Sequence, residues 1–258
     1  MDIKKDPNIE TLEKIAKKLG DLTSGMVVVG GCTTGLHITD DTAPAVRKTE
    51  DVDLITDVTT RGFHKLSEEL KKVGFKEDIS GPICRYKSGG LLLDVMPINS
   101  KAIGVTGRWY KMAYENAEKT KLPSGKEVSV IRAPEFLACK LDAFSDRGDG
   151  DFLMSKDIQD IIAVIDGRPE IVDEVENSPK ALRGYLGEQF KSIITNSDFR
   201  NNLPGHLNAE SQDRIPIIMA RIERMSMIEA GKGVKNKRSE KKSLSLTETR
   251  DSGDKIQK

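Results

Sequence analysis

The chain has 258 residues, enough for one large domain or two small ones, and a composition of 37% hydrophobic and 32% charged residues fits a globular protein. Its 41 basic and 41 acidic residues cancel, so net charge predicts no nucleic-acid partner and leaves only a local basic face as a route to one. No apolar run reaches the length of a membrane span, and Met1-Asp2-Ile3-Lys4-Lys5-Asp6 does not read as a signal peptide. Three scattered cysteines (Cys32, Cys84, Cys139) argue against a disulfide framework, and three dispersed histidines (His37, His64, His206) lack zinc spacing; a cytoplasmic setting is the simple expectation.

In chain order, Asp6-Pro7 followed by Ile9, Leu12, Ile15, Ala16 and Leu19 predicts a capped amphipathic helix. A buried strand over 26–30 follows, then a short helix from about Thr33, a polar loop over 39–50 and a strand over 51–56. Phe63, Leu66, Leu70 and Val73 predict a helix over 60–73. Ile83 to Lys87 and Leu91 to Met96 flank Ser88-Gly89-Gly90 as a hairpin. Val128 to Ile131 reads as a further strand, and Pro134 opens a helix to about Ser145. Helices are then expected over 151–166, 179–195 and 209–230. Strands interleaved with helices predict an α/β domain over 1–132 and a helical domain over 133–230 packed on it. From Gly231 the chain has no aromatic residue and carries nine Lys/Arg against four acids, which predicts a disordered basic tail, either simply solvated or an arm for RNA or another partner.

The chemistry is concentrated in strands. Asp51 and Asp53 stand two apart inside an apolar run, and residues i and i+2 of a strand share a face. Two neighbouring anions repel, and a hard divalent ion such as Mg²⁺ resolves that repulsion while also taking substrate phosphates. Upstream, Met26-Val27-Val28-Val29 runs into Gly30-Gly31-Cys32-Thr33-Thr34-Gly35, where small residues permit close backbone approach to a phosphate and one threonine is expected to supply a hydroxyl contact. Cys32 is expected to be a small buried residue rather than a nucleophile. Downstream, Leu91-Leu92-Leu93-Asp94 puts a third carboxylate on a buried strand, either to complete a second metal site or to act as general base.

Glycine turn, Asp-x-Asp and a lone strand Asp together resemble the polymerase β-like nucleotidyltransferase superfamily. Gly30-Gly31 through Arg47-x-Thr49-x-Asp51-x-Asp53 is most similar to its AbiEii-like branch, the toxins of type IV toxin–antitoxin pairs. The block Lys140…Arg147…Lys156-Asp157-x-x-Asp160 is similar to that family's downstream motifs, so the resemblance covers about residues 25–166. It implies a polymerase β-like fold, a mixed β-sheet flanked by helices with a mostly helical C-terminal region. It also implies Mg²⁺ (or Mn²⁺) on Asp51, Asp53 and Asp94, NTP held by Gly30, Gly31, Thr33, Thr34 and Lys140, and Asp157 as a residue essential to catalysis. Gly31 and Asp51 are more widely spaced than in compact members, and residues 39–46 read as a loop insertion. Lys140 lies within the apolar stripe of Phe136, Leu137, Leu141 and Phe144, and is expected to emerge from it onto the phosphates, matched by nucleotide rather than by a protein partner. Lys156 and Asp160 are spaced for a surface ion pair. The expected activity is transfer of a nucleoside monophosphate from an NTP to an acceptor such as RNA, tRNA or a protein, with an antitoxin as a further partner. The competing readings are an antibiotic-modifying nucleotidyltransferase, a nucleotide-binding regulatory module without catalysis, and a partner subunit whose tail recruits nucleic acid.

Overall fold

The computed structural model describes residues 6–98 and 107–229; the predicted tail lies outside the described residues. Its first helix, α1 (Ile9–Leu19), buries Ile9, Leu12, Ile15, Ala16 and Leu19, the stripe that three- and four-residue spacing lays along one side. Each large aliphatic side chain in it stabilises the fold by about 1.5–3 kcal/mol relative to exposure. The stripe covers one face of a sheet, meeting Met26, Val28, Leu54 and Val128.

Among the described residues the sheet has seven strands: β1 (Met26–Val29), β2 (Asp51–Thr56), β3 (Lys76–Glu77), β4 (Arg85–Ser88), β5 (Leu91–Pro97), β6 (Glu118–Lys121) and β7 (Glu127–Val130). Their spatial order is β3-β4-β5-β2-β1-β7-β6. β2 runs parallel to β5 and antiparallel to β1, and β1 runs parallel to β7, so the sheet is mixed, as expected. Along β5, Leu93 and Val95 are buried while Leu92, Asp94 and Met96 are half-buried. That alternation sends the carboxylate to the face opposite α1. The β4–β5 hairpin closes through Gly89 and Gly90, both at positive φ, which is what a tight two-residue turn matching the strand twist requires.

The helices are α2 (Thr60–Lys72), α3 (Tyr110–Glu115), α4 (Ala133–Arg147), α5 (Lys156–Gly167), α6 (Ile171–Glu176), α7 (Lys180–Thr195), α8 (Ser197–Asn202) and α9 (Ile215–Ser226). Among the described residues after 132, up to 229, the regular elements are helical, as the sequence indicates. A single cluster of buried side chains runs from Ile9 to Met225, so strands and helices share one core. No helix among the described residues is long and apolar enough to cross a membrane.

Four details differ from the sequence expectation. Residues 31–37 form a 3-10 turn rather than a short α-helix, because Cys32, Thr33 and Thr34 each donate a side-chain hydrogen bond to the carbonyl three residues back. The helix expected from residue 151 starts at Lys156. Asp151 accepts from the Leu153 and Met154 N–H groups in a turn, and Ser155 caps the helix by accepting from the Ile158 N–H at 3.3 Å. The helix expected over 209–230 opens as a 3-10 turn and is α-helical only over Ile215–Ser226. Finally, β3, β6, α3, α6 and α8 are too short to show a hydrophobic period.

Candidate active site

The strand register assembles one row of charge across the sheet. Asp53 pairs with Asp94 between β2 and β5, and Asp94 pairs with Arg85 between β5 and β4; aligned residues of neighbouring strands share a face. Asp51 stands two residues along β2 on the same face. Arg85 grips Asp94 with both ends of its fork, Nε to Oδ1 and Nη2 to Oδ2 at 2.7 Å each, and its Nη2 also donates to Asp51 Oδ2 at 2.6 Å. It makes no such bond with Asp53. Burial, and then the charges of Asp51 and Asp94, push the Asp53 carboxyl up to about 7. The same anions, Asp94 foremost, raise the Arg85 pKa and keep it charged.

The glycine turn is shaped around these groups. Gly30 sits at φ 72°, ψ −169°, a conformation essentially confined to glycine, and a Cβ there would collide with the Asp53 carboxylate. At Gly31 a Cβ would lie 2.6 Å from the Arg47 guanidinium. Both backbone positions line the cleft, with no side chain of their own to intervene. The threonines do not: Thr33 and Thr34 are buried, and their hydroxyls donate to the Gly30 and Gly31 carbonyls at 2.9 and 2.8 Å. The expected hydroxyl contact is thus corrected: both hydroxyls are committed to the turn's own carbonyls and neither threonine lines the cleft. Cys32 is fully buried and its thiol pKa is raised by burial, in keeping with a packing role.

A second chain of charges lies on the helices. Arg47 is bidentate to Asp160, 2.7 Å on each arm; Lys140 bonds Asp160 at 2.7 Å and Asp157 at 3.1 Å; Arg147 bonds Asp157 at 3.0–3.2 Å. Lys140 is buried over the Phe136 ring, 5.7 Å from its centroid. Burial opposes its charge, but Asp160 and Asp157 outweigh burial and hold its pKa above the ordinary lysine range. Two expectations are corrected here. Lys140 is matched by permanent protein partners rather than left for a nucleotide, because the α4–α5 packing brings both carboxylates under it. Asp160 is 1% exposed and faces inward to Arg47 and Lys140, while Lys156 is exposed, so they form no surface pair. Arg147, whose side chain is 70% exposed, is the accessible end of the chain.

Both clusters open onto one cleft of about 1030 Å³, lined by Gly30, Gly31, Asp51, Asp53 and Asp94 towards the sheet and by Lys140, Arg147 and Asp157 towards the helices. Lys48 and Lys156 add exposed ammonium groups to its lining. Asp157 therefore belongs to the cationic end and orients Lys140 and Arg147 rather than joining the other three carboxylates. Among the described residues no three His, Cys, Asp or Glu side chains converge as a formed ion site. The donors nonetheless suit a hard cation in kind and register: three carboxylates on one face of two paired strands, one of them with its charge disfavoured by the other two. Arg85 stands against two of them. Sequence reasoning passed over Arg85, although Gly89-Gly90 as a two-residue hairpin turn sets residue 85 opposite residue 94. It also passed over Asn8, whose side chain bonds the Arg47 carbonyl at 3.0 Å and the Thr49 N–H at 2.8 Å, fixing the strand entry.

No protein-family model matches this chain, and no curated protein matches it. Among solved structures it is similar to the crystal structure of ANT(2")-Ia in complex with adenylyl-2"-tobramycin, with 17% sequence identity, a TM-score of 0.38, and coverage of 60% of this chain and 86% of that one.

Proposed function

We propose that this protein is a metal-dependent nucleotidyltransferase that moves a nucleoside monophosphate from an NTP to a hydroxyl of an acceptor, with RNA, tRNA or a protein as the acceptor classes, and releases pyrophosphate. The observation that carries the reading is the division of one cleft into a carboxylate end on the sheet and a cationic end on the helices, with the Gly30-Gly31 backbone lining the same cleft. A triphosphate needs both ends: carboxylates to hold its counter-ion, and fixed cations to hold its outer oxygens. Asp51, Asp53 and Asp94 would hold Mg²⁺ or Mn²⁺, which when bound neutralises phosphate charge and lowers the pKa of an attacking hydroxyl. The glycine turn lets phosphate approach backbone N–H groups without a side chain intervening. Arg147, Lys48 and Lys156 bind the outgoing pyrophosphate, while Lys140, Asp157 and Asp160 orient Arg147 and Arg47. The acceptor oxygen attacks the α-phosphorus, its proton passes to a carboxylate of this end, a role assigned to Asp94, and the bond to pyrophosphate breaks. The resemblance of the motifs to AbiEii-like proteins extends the proposal to a toxin with a protein antitoxin as partner.

The test is incubation with each α-labelled NTP, Mg²⁺ and total cell RNA and protein. Label should pass to an acceptor in step with pyrophosphate release, and Asp51→Asn with Asp53→Asn should abolish transfer in a protein that still folds. A folded double variant with wild-type turnover, or no transfer from any NTP, would sink the reading.

A further inference from the structure

The carboxylate end is not an open anionic pocket. All the bonds that Arg85 makes to it are charge-assisted and short: both oxygens of Asp94 and one of Asp51, at 2.6–2.7 Å. The side chain is only 19% exposed, so the pairs are shielded from much of the screening that weakens surface pairs. We propose that Arg85 is a resident counter-ion of the carboxylate site, which a divalent cation must displace from Asp51 and Asp94 in order to bind. The proposal rests on the nucleotidyl-transfer reading for the reason a cation comes to the cleft; the competition itself follows from the geometry.

Two features give the displaced guanidinium somewhere to go. Arg85 lines the cleft and also a second cavity of about 480 Å³, whose lining includes Glu77 and Asp78. A rotation of the side chain away from the cleft therefore leads towards Glu77 and Asp78, which Lys71 and Lys87 pair at 3.3 and 2.7 Å and which would have to be shared. Gly81 keeps that side open, since a Cβ there would lie 3.0 Å from Arg85 Cδ. Asp53, which Arg85 does not bond, is the carboxylate left for first contact with an incoming ion. The stepwise order that results is ion on Asp53, exchange of guanidinium for ion on Asp51 and Asp94, and relocation of Arg85. No covalent bond changes in this exchange. The consequence is a site whose empty state is partly compensated, one guanidinium standing against the two carboxylates of Asp51 and Asp94, and whose affinity for bare metal is lowered by that competition. A metal–triphosphate complex, which also engages the cationic end, has the additional contacts needed to complete the exchange.

Mn²⁺ binding to the full chain, followed by loss of the free-ion electron paramagnetic resonance signal without nucleotide, separates the possibilities. Arg85→Gln should bind Mn²⁺ at least about ten-fold more tightly than the wild type and should melt at a lower temperature when metal-free, because the carboxylates lose their counter-ion. Arg85→Lys keeps a positive charge but not the fork that spans both carboxylates, and should fall between the two in affinity. It also serves as the readout if Arg85→Gln does not fold. Equal or weaker Mn²⁺ binding in the foldable variants overturns the role assigned to Arg85 while leaving nucleotidyl transfer standing. Absence of Mn²⁺ binding in the wild type and in both variants likewise overturns the role assigned to Arg85, whereas nucleotidyl transfer stands or falls on label transfer from the α-labelled NTPs.

Discussion

At the residue scale, two side chains carry charges whose placement makes opposite stability predictions. Asp53 titrates near 4 in an unfolded chain but at about 7 when folded. Between those values the folded state holds a proton the unfolded state has lost. Stability contributed by this group is therefore fully present below about pH 4, falls as pH rises, and is gone above about pH 7. Each unit of the shift corresponds to at most about 1.4 kcal/mol, reduced by the solvent that reaches a half-buried group. Asp53→Asn should raise the melting temperature of the metal-free protein, and by more at pH 8 than at pH 5; equal gains at both would contradict the shift. Lys140 behaves the other way. A lysine without a protein partner would be replaced by Met at little cost, but here Lys140→Met strands Asp157 and Asp160, both buried. Loss of one partner from a buried pair costs about 3–5 kcal/mol, and the bonds from Arg47 and Arg147 should hold the cost near the lower end. Denaturant melts at neutral pH measure it, and an unchanged midpoint would mean that Lys140 is not the partner drawn here.

At the element scale, the Gly30-Gly31 turn joins the two charged clusters. Gly30 lies against Asp53, and Gly31 lies against Arg47 and, beyond it, Asp160. Alanine at Gly30 meets two penalties, a backbone region costing about 1–3 kcal/mol for a residue with a Cβ and a clash with the Asp53 carboxylate. Gly30→Ala should lower the melting temperature, and adding Asp53→Ala should recover only the part of the clash made by the carboxylate, since the Asp53 Cβ is itself 2.9 Å away. A double-mutant cycle reads that partial recovery as a coupling energy; full additivity would show that the two positions do not touch. The segment 39–46, read as an insertion, is tied down at both ends: the Thr39 and Asp40 N–H groups each donate to the Gly167 carbonyl at 2.9 Å, and Asn8 holds the Arg47 carbonyl. That anchorage lets a long connection deliver Arg47 to a fixed partner.

At the scale of the whole molecule, the helices after residue 132 act as a brace for the site. Arg214 bonds Asp166 at 2.7 Å, Asp40 at 2.6 Å and Thr42 at 3.0 Å, so it links α5 and the approach to α9 with the segment leading to Arg47. Asp166 is 2% exposed, and a charged hydrogen bond to such a group is worth about 1.5–3 kcal/mol. Arg214→Ala should destabilise by about that amount and speed proteolytic cleavage within 39–46, read by limited digestion and mass spectrometry. Cleavage at the wild-type rate would mean that the segment does not depend on this brace. Because one core runs from Ile9 to Met225, thermal unfolding of the described residues should be a single cooperative transition.

Local side-chain patterning specifies the elements whose chemistry repeats along the chain. The apolar period of α1, α2 and α4, the alternation in β2 and β5, the glycine turn, and the facing of Asp51 and Asp53 all follow from side-chain geometry within a few residues. A mixed sheet with helices behind it was legible for the same reason. The partners follow from how the elements pack. Arg47 and Asp160 are 113 positions apart, and Lys140 is 17 from Asp157; no local pattern reveals which cation will neutralise which carboxylate. That choice reversed the expectation for Lys140, turned Asp160 inward, and placed Arg85 on the carboxylates. The physical reason is that hydrophobic periodicity is a property of one element, whereas charge pairing inside a core depends on how elements pack, and burial makes each pairing too costly to leave unmade.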